Sequence, residues 1–193
     1  MSFINESQLK GFRNSTRTFS KTINESLLEF KNESKLTKTK VFLSHKHDER
    51  EILDGAISFL KKEGVDVYVD WLDEGMPKTT SGITAKRIKE KIKENDKFIL
   101  LATEGAINSK WCNWELGLGD AAKYIENIAI LPVRRDLQSF SGSEYLEIYP
   151  YINYEDGTSK YNSGLFIPRG YYVMYPAVNG SHRIVRLSDW LKK

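Results

Sequence analysis

A single cysteine, Cys112, stands in a chain of 193 residues, so no intrachain disulfide can form and stability has to come from a packed core. No stretch reaches the ~18 consecutive apolar residues of a membrane-spanning helix, and there is no secretory h-region. Those absences point to a cytosolic protein without a membrane partner. A basic stripe on the folded part is missing too: of the net charge of +3, residues 1–40 supply eight Lys/Arg against four Glu, and the rest is close to neutral. A nucleic-acid binder carries its excess on the folded surface, so no nucleic-acid partner is expected. Neither GxxxxGK[ST] nor GxGxxG occurs, which argues against a P-loop kinase and a Rossmann dehydrogenase.

What is present has two rhythms. Leu9, Phe12, Phe19, Ile23, Leu27 and Phe30 recur at intervals of three, four or seven, the stripe of an amphipathic helix or helix pair. Packing on its own domain is the plainer reading; a seam for a second protomer, and hence a homo-oligomer, is the sharper one. The Ser-rich, basic residues 1–24 loosely resemble an organelle transit peptide, but the apolar spacing continues past any processing site and favours structure. From Lys40 onward strand and helix alternate quickly. Val41–Ser44 is a short strand, Asp48 and Glu51 resemble a capping arrangement for a helix, and Val65, Val67 and Val69 alternate as a second strand. A helix near residues 81–94 turns Ile83, Ile88 and Ile92 inward. A strand over 97–102, a helix from Ser109 to about Asn127 and a strand over 128–133 follow. Residues 149–154 read as a fifth strand, and residues 171–175 and 183–187 as a β-hairpin turning at Asn179-Gly180. The expected divisions are a helical extension over 1–38, an α/β domain over 39–155 and a hairpin-bearing extension over 156–193. Eight of the ten tyrosines lie at or beyond Tyr145, suggesting a contact surface or cleft wall.

Strand-helix-strand units of this length require parallel pairing, which makes an open α/β sheet with helices on both faces. Ligands in such sheets bind beyond the carboxyl ends of the strands. That rim holds Ser44-His45, Asp70-Trp71 and Thr103-Glu104, and the helix carrying Glu115 starts there. Residues three and four positions from Glu115 are Trp111, Cys112, Leu118 and Gly119, none of them basic. Glu115 therefore points where a core residue should point, and an unpaired buried carboxylate is costly. Its partner has to be a ligand, a backbone donor or a distant residue. The other chemistries are weaker. His45-Lys46-His47-Asp48 offers metal-binding side chains, but alternate residues of an extended segment point opposite ways and no third ligand is evident, so no metal is expected. Cys112 near a helix start has the setting of a nucleophile, although a small residue on an apolar face more often packs. A phosphoacceptor receiver domain shares the sheet but needs an acidic pair after the first strand, where Ser44-His45 stand, and an Asp after the third, where Thr103-Glu104 stand.

Phe42-Leu43-Ser44-His45, Asp70-Trp71 at the end of the second strand and Ser109-Lys110-Trp111-Cys112 followed by Glu115 together resemble the TIR domain family, in particular bacterial members that consume NAD in anti-phage defence. The resemblance covers about residues 40–155. It implies a flavodoxin-like sheet and Glu115 as the catalytic glutamate. It also implies substrate-binding roles for Phe42, Ser44, His45, Asp70, Trp71, Trp111 and Cys112, with Trp111 stacking on the substrate. The implied reaction converts NAD, as substrate and with no separate cofactor, to nicotinamide and a cyclic ADP-ribose isomer. That product activates a separate effector protein after an unidentified phage trigger. The family's loop after the second strand corresponds to residues 73–80, from which no residue is carried over. On their own terms the residues suit this chemistry: pyridinium is a good leaving group, and one ionised carboxylate suffices to stabilise an oxocarbenium-like centre. Two alternatives stay open: a non-catalytic adaptor in which Glu115 is satisfied by backbone or an arginine, and a nucleoside N-glycosidase or deoxyribosyltransferase.

Overall fold

A computed structural model describes residues 1–13, 39–73, 81–140, 142–177 and 182–192, with Trp71 and Ser143 described by backbone only. The chain enters through a two-residue strand, β1 (Ile4–Asn5), and a one-turn helix, α1 (Glu6–Lys10), whose start is closed by a reciprocal bond pair between Asn5 and Gln8. Next come β2 (Lys40–Ser44), α2 (Arg50–Lys62), β3 (Asp66–Tyr68), α3 (Gly82–Glu94), β4 (Lys97–Ala102), α4 (Glu104–Ile107) and α5 (Lys110–Ala122). The remainder is β5 (Ile128–Arg134), α6 (Ser143–Ile148), β6 (Tyr151–Glu155), β7 (Gly170–Met174), β8 (Ile184–Arg186) and α7 (Leu187–Trp190).

Strands β3, β2, β4, β5 and β6 lie side by side in that order, every pair parallel, which is the flavodoxin-like arrangement. Alternation within the strands splits the core into two layers. Val41 and Leu43 of β2 join Ile99, Leu101 and the inner face of α2, whereas Phe42 joins Phe98, Leu100 and α3 and α5 on the other side. Helices on both faces explain why β4 is buried at every position.

The terminal stretches are woven into this sheet. β1 pairs in parallel with β5, Ile4 opposite Val133, and β7 and β8 extend the far edge in antiparallel register. Leu9 is fully buried, and Phe12 packs on Phe59 with ring centroids 5.1 Å apart. A Cβ at Gly55 would lie 2.3 Å from the Leu9 carbonyl oxygen, so only glycine lets α1 approach α2 this closely. At the other end Trp190 donates its indole N–H to the Glu126 carbonyl at 2.8 Å, and the Lys97 ammonium sits 4.6 Å above its ring. The first two members of the amphipathic stripe thus face their own domain; the remaining four, the 74–80 part of the loop after β3 and the Asn179-Gly180 turn lie outside the described residues.

Several local expectations are corrected. Asp48 and Glu51 do not form a cap: α2 follows Glu49, whose carboxylate instead accepts a bond from Thr103. Ile83 is 72% exposed, because the inward stripe of α3 is Thr84, Ile88 and Ile92 at intervals of four, one position round the helix from Ile83. α5 stops at Ala122, and a 3-10 turn at Ile125–Asn127 intervenes before β5. The short helices α4 and α6 had no strong periodic signal. The late tyrosines do not line one surface: Tyr149, Tyr172 and Tyr175 are buried core residues, and Tyr171 packs against Phe59 at 4.7 Å.

Candidate active site

The sheet order reverses between β2 and β4, so the connections leaving their carboxyl ends run to opposite faces of the sheet and leave the crevice where ligands of open α/β sheets bind. α5 forms one wall. Its first turn is closed by the Ser109 hydroxyl, which accepts the Cys112 N–H at 3.3 Å. Further along, a Cβ at Gly119 would meet the Phe98 ring at 3.0 Å, so the helix lies tight on β4. That close seat drives the inward face of α5, Cys112, Glu115, Leu116 and Gly119, below the surface. Glu115 is 2% exposed, and its Oε2 accepts the Ser44 hydroxyl at 2.6 Å. Among the described residues no arginine or lysine forms an ion pair with it.

The polarity of this site is not what an ionised carboxylate would require. Burial, with the nearby negative charge of Asp70 added, raises the Glu115 pKa to about 8, only partly offset by the Ser44 bond and by His47. The side chain is thus mainly protonated at neutral pH in the free site, a correction to the ionised acid expected from sequence. Opposite it, the 3-10 turn Asp70–Leu72 presents Asp70, itself buried, to two imidazoles. His47 Nε2 lies 3.0 Å from Asp70 Oδ2, and this bond raises the His47 pKa. His45 Nε2 is 3.9 Å from Oδ1, while its Nδ1 lies 3.1 Å from the Leu43 carbonyl. Burial lowers the His45 pKa.

The residues singled out in the sequence fall into three groups. Ser44, His45, Asp70 and Glu115 gather at the crevice within one buried polar cluster. Cys112 is next to them, but its thiol donates to the His45 carbonyl at 3.3 Å and burial pushes its pKa up to about 11, which suits a packing residue and not a nucleophile. Trp111 is half-buried at the mouth of α5, its ring 4.7 Å from that of Trp114. Phe42 lies deeper, stacked between Phe98 and Tyr68 at 5.6 and 5.5 Å, a floor beneath the cluster. Trp71 sits in the turn beside Asp70, and its side chain lies outside the description. Thr103 and Glu104 belong elsewhere: Thr103 bonds Glu49 and caps α4, and Glu104 pairs with Arg135 at 3.1 Å.

His47 was overlooked as a site residue. Alternation along one extended segment would send the side chains of residues 45–48 apart, but the strand ends at Ser44 and the chain turns at His47, which brings both imidazoles to the same carboxylate. The signal available was the strand end itself, beyond which alternate side chains need not diverge.

A parallel sheet with this strand order, and a buried glutamate reached by a serine at the end of its first long strand, define a TIR-type site. Residues 41–165 match the model of the TIR domain family, and the chain belongs to that family. It is also similar to a Bacillus cereus protein named probable 3' cyclic ADP-D-ribose synthase ThsB', with 34% identity over 132 residues. The match takes in 64% of this chain and 65% of that relative, so the chain spans a little under two thirds of the relative's length. No helix among the described residues is long and apolar enough to cross a membrane.

Proposed function

We propose that this protein is a ThsB-like TIR enzyme of a Thoeris-type anti-phage system. It breaks the nicotinamide–ribose bond of NAD and closes the remaining ADP-ribose into a cyclic isomer that activates a separate effector in the cytosol. The observation that carries this is Glu115: a buried carboxyl at the topological switch point, held by the Ser44 hydroxyl and with no ion pair to lysine or arginine among the described residues. The adaptor reading asks for an arginine or backbone partner and has less support. The name of the Bacillus cereus relative supports a cyclising outcome over plain hydrolysis.

In the reaction the raised pKa has a use. A protonated carboxyl can be buried at little cost, and entry of a cationic pyridinium favours its ionised form. Its proton passes to bulk water as the cationic ring enters, and the charge left on Glu115 then faces the developing oxocarbenium centre, in a dry site where it is strongest. Trp111 at the mouth offers a face for a nucleobase or pyridinium ring. His45 and Asp70, on the opposite wall, can accept hydrogen bonds from ribose hydroxyls. Cyclisation needs only that the adenine reach the ribose cation before water does, a matter of positioning.

Release of nicotinamide by the purified protein, supplemented with extract from phage-infected cells, tests the reading. Glu115→Gln is expected to lower it by about 1000-fold with circular dichroism unchanged. Equal release by variant and wild type would remove the catalytic assignment, and cleavage of free nucleosides in preference to NAD would redirect it to a nucleoside glycosidase.

A further inference from the structure

We propose that His45, His47 and Asp70 form a binding site for a divalent transition-metal ion of the zinc class. The three side chains come from two separate segments, the turn after β2 and the 3-10 turn after β3, and their ligand atoms all lie within 4.8 Å of one another. Tetrahedral donors with bonds of ~2.0–2.2 Å lie ~3.3–3.6 Å apart, so the cluster has to draw in to grip an ion, which the exposed His47 side chain allows.

The tautomer of His45 carries the argument. Its Nδ1 faces the Leu43 carbonyl at 3.1 Å, and a carbonyl can only accept, so the ring proton is on Nδ1. Nε2 then bears a bare lone pair. It is buried, has no hydrogen-bond partner among the described residues, and lies 3.9 Å from the Asp70 carboxylate. A lone pair facing an anion in a low-dielectric setting is unfavourable unless a cation lies between them. An imidazole whose far nitrogen donates to a backbone carbonyl is also the usual state of a metal-ligating histidine, since that bond fixes the ring and raises its basicity. His47 completes the set from the open side: its side chain is 57% exposed and its Nε2 lies 3.0 Å from the other oxygen of Asp70. Two imidazoles and one carboxylate suit zinc and its neighbours better than magnesium or calcium, which prefer all-oxygen shells. None of this depends on NAD being the substrate.

The test uses the full chain, stripped with a chelator, free of nucleotide, and titrated with Zn²⁺ against a chromogenic chelator. One equivalent is expected to bind. Asp70→Asn and His47→Ala should each weaken binding by more than about 100-fold, beyond the loss typical for outer-shell partners. His47 is exposed enough that its variant should fold, which circular dichroism checks. His182→Ala, which removes the third histidine of the chain, should bind as wild type. Absence of binding to the wild type, or binding of equal strength by His47→Ala, would overturn the proposal. Because no nucleotide is present, either result leaves the NAD reading to its own assay.

Discussion

Glu115 and Glu155 are two buried glutamates that the fold treats in opposite ways. Both are essentially inaccessible, at 2% and 0% exposure. Burial alone pushes either carboxyl toward its protonated form. At Glu155 that push is outweighed: the backbone N–H groups of Ser159 and Gly157 donate to Oε1 at 3.0 and 2.8 Å, and the acid is held below its ordinary pKa. At Glu115 a hydroxyl donates, Asp70 adds like charge, and the pKa rises to about 8. One acid is held charged by two backbone donors to a single oxygen, Oε1, and ties the 155–159 turn to the end of β6. The other is left unsettled beside a crevice, where a cationic ligand would do what the protein does not. Burial by itself is therefore no sign of function; the sign is a buried acid whose pKa is raised beside a like charge at a crevice.

The largest expected difference between them is in the pH dependence of stability. Glu115 has a folded pKa above its unfolded value near 4.5, so its contribution is fully present below pH 4.5 and is lost as pH rises toward about 8. Thermal melts of wild type and Glu115→Gln in chelator-containing buffer should coincide in acid. They should then separate in favour of the variant, approaching a ceiling on the order of 5 kcal/mol at alkaline pH. Glu155 should behave in the opposite sense: its pKa is depressed, so the stability it gives is present above pH 4.5 and lost as pH falls through the folded value. Melts of Glu155→Gln should therefore converge on wild type only in acid. A pair of variants with the same pH trend would break the comparison.

Next in size, Glu155→Ala should destabilise the fold by about 3 kcal/mol in urea titration, because two backbone donors lose their acceptor. Nicotinamide release per folded molecule should be unchanged, in contrast to Glu115→Gln. The smallest effect is expected from Ser44→Ala, which removes a donor to Glu115 and should cost about 1–2 kcal/mol. It should also move the Glu115 inflection in the pH series to higher pH. An inflection left in place would mean that the serine bond does not tune the acid.

How much of this was readable beforehand varies by element. The buried stripe of α2 and the valines around β3 follow from local periodicity, and the parallel sheet follows from the lengths of the connections. Glu115 stood out because its neighbours along the helix are apolar, a purely local fact. Its partner Ser44 lies 71 residues away in sequence, and the bond between them could not be read from either segment. Glu155 went unnoticed since its partners are backbone amides of a turn, which composition does not reveal. His47 was missed because the strand ended before it. The join of β1 and β8 to one sheet was hidden by their length, two and three residues, too short for a pattern to declare itself.

What the sequence by itself determined is which segments are strands and helices, which faces are apolar, and that one acid at the start of α5 had no local partner. These follow from periodicity, which short-range sterics and burial impose on the chain. Only the tertiary structure decided the charge state of that acid, the meeting of His45, His47 and Asp70, and the contrast with Glu155. Those properties depend on donors and charges within a few ångströms in space, contributed by residues that the chain keeps far apart.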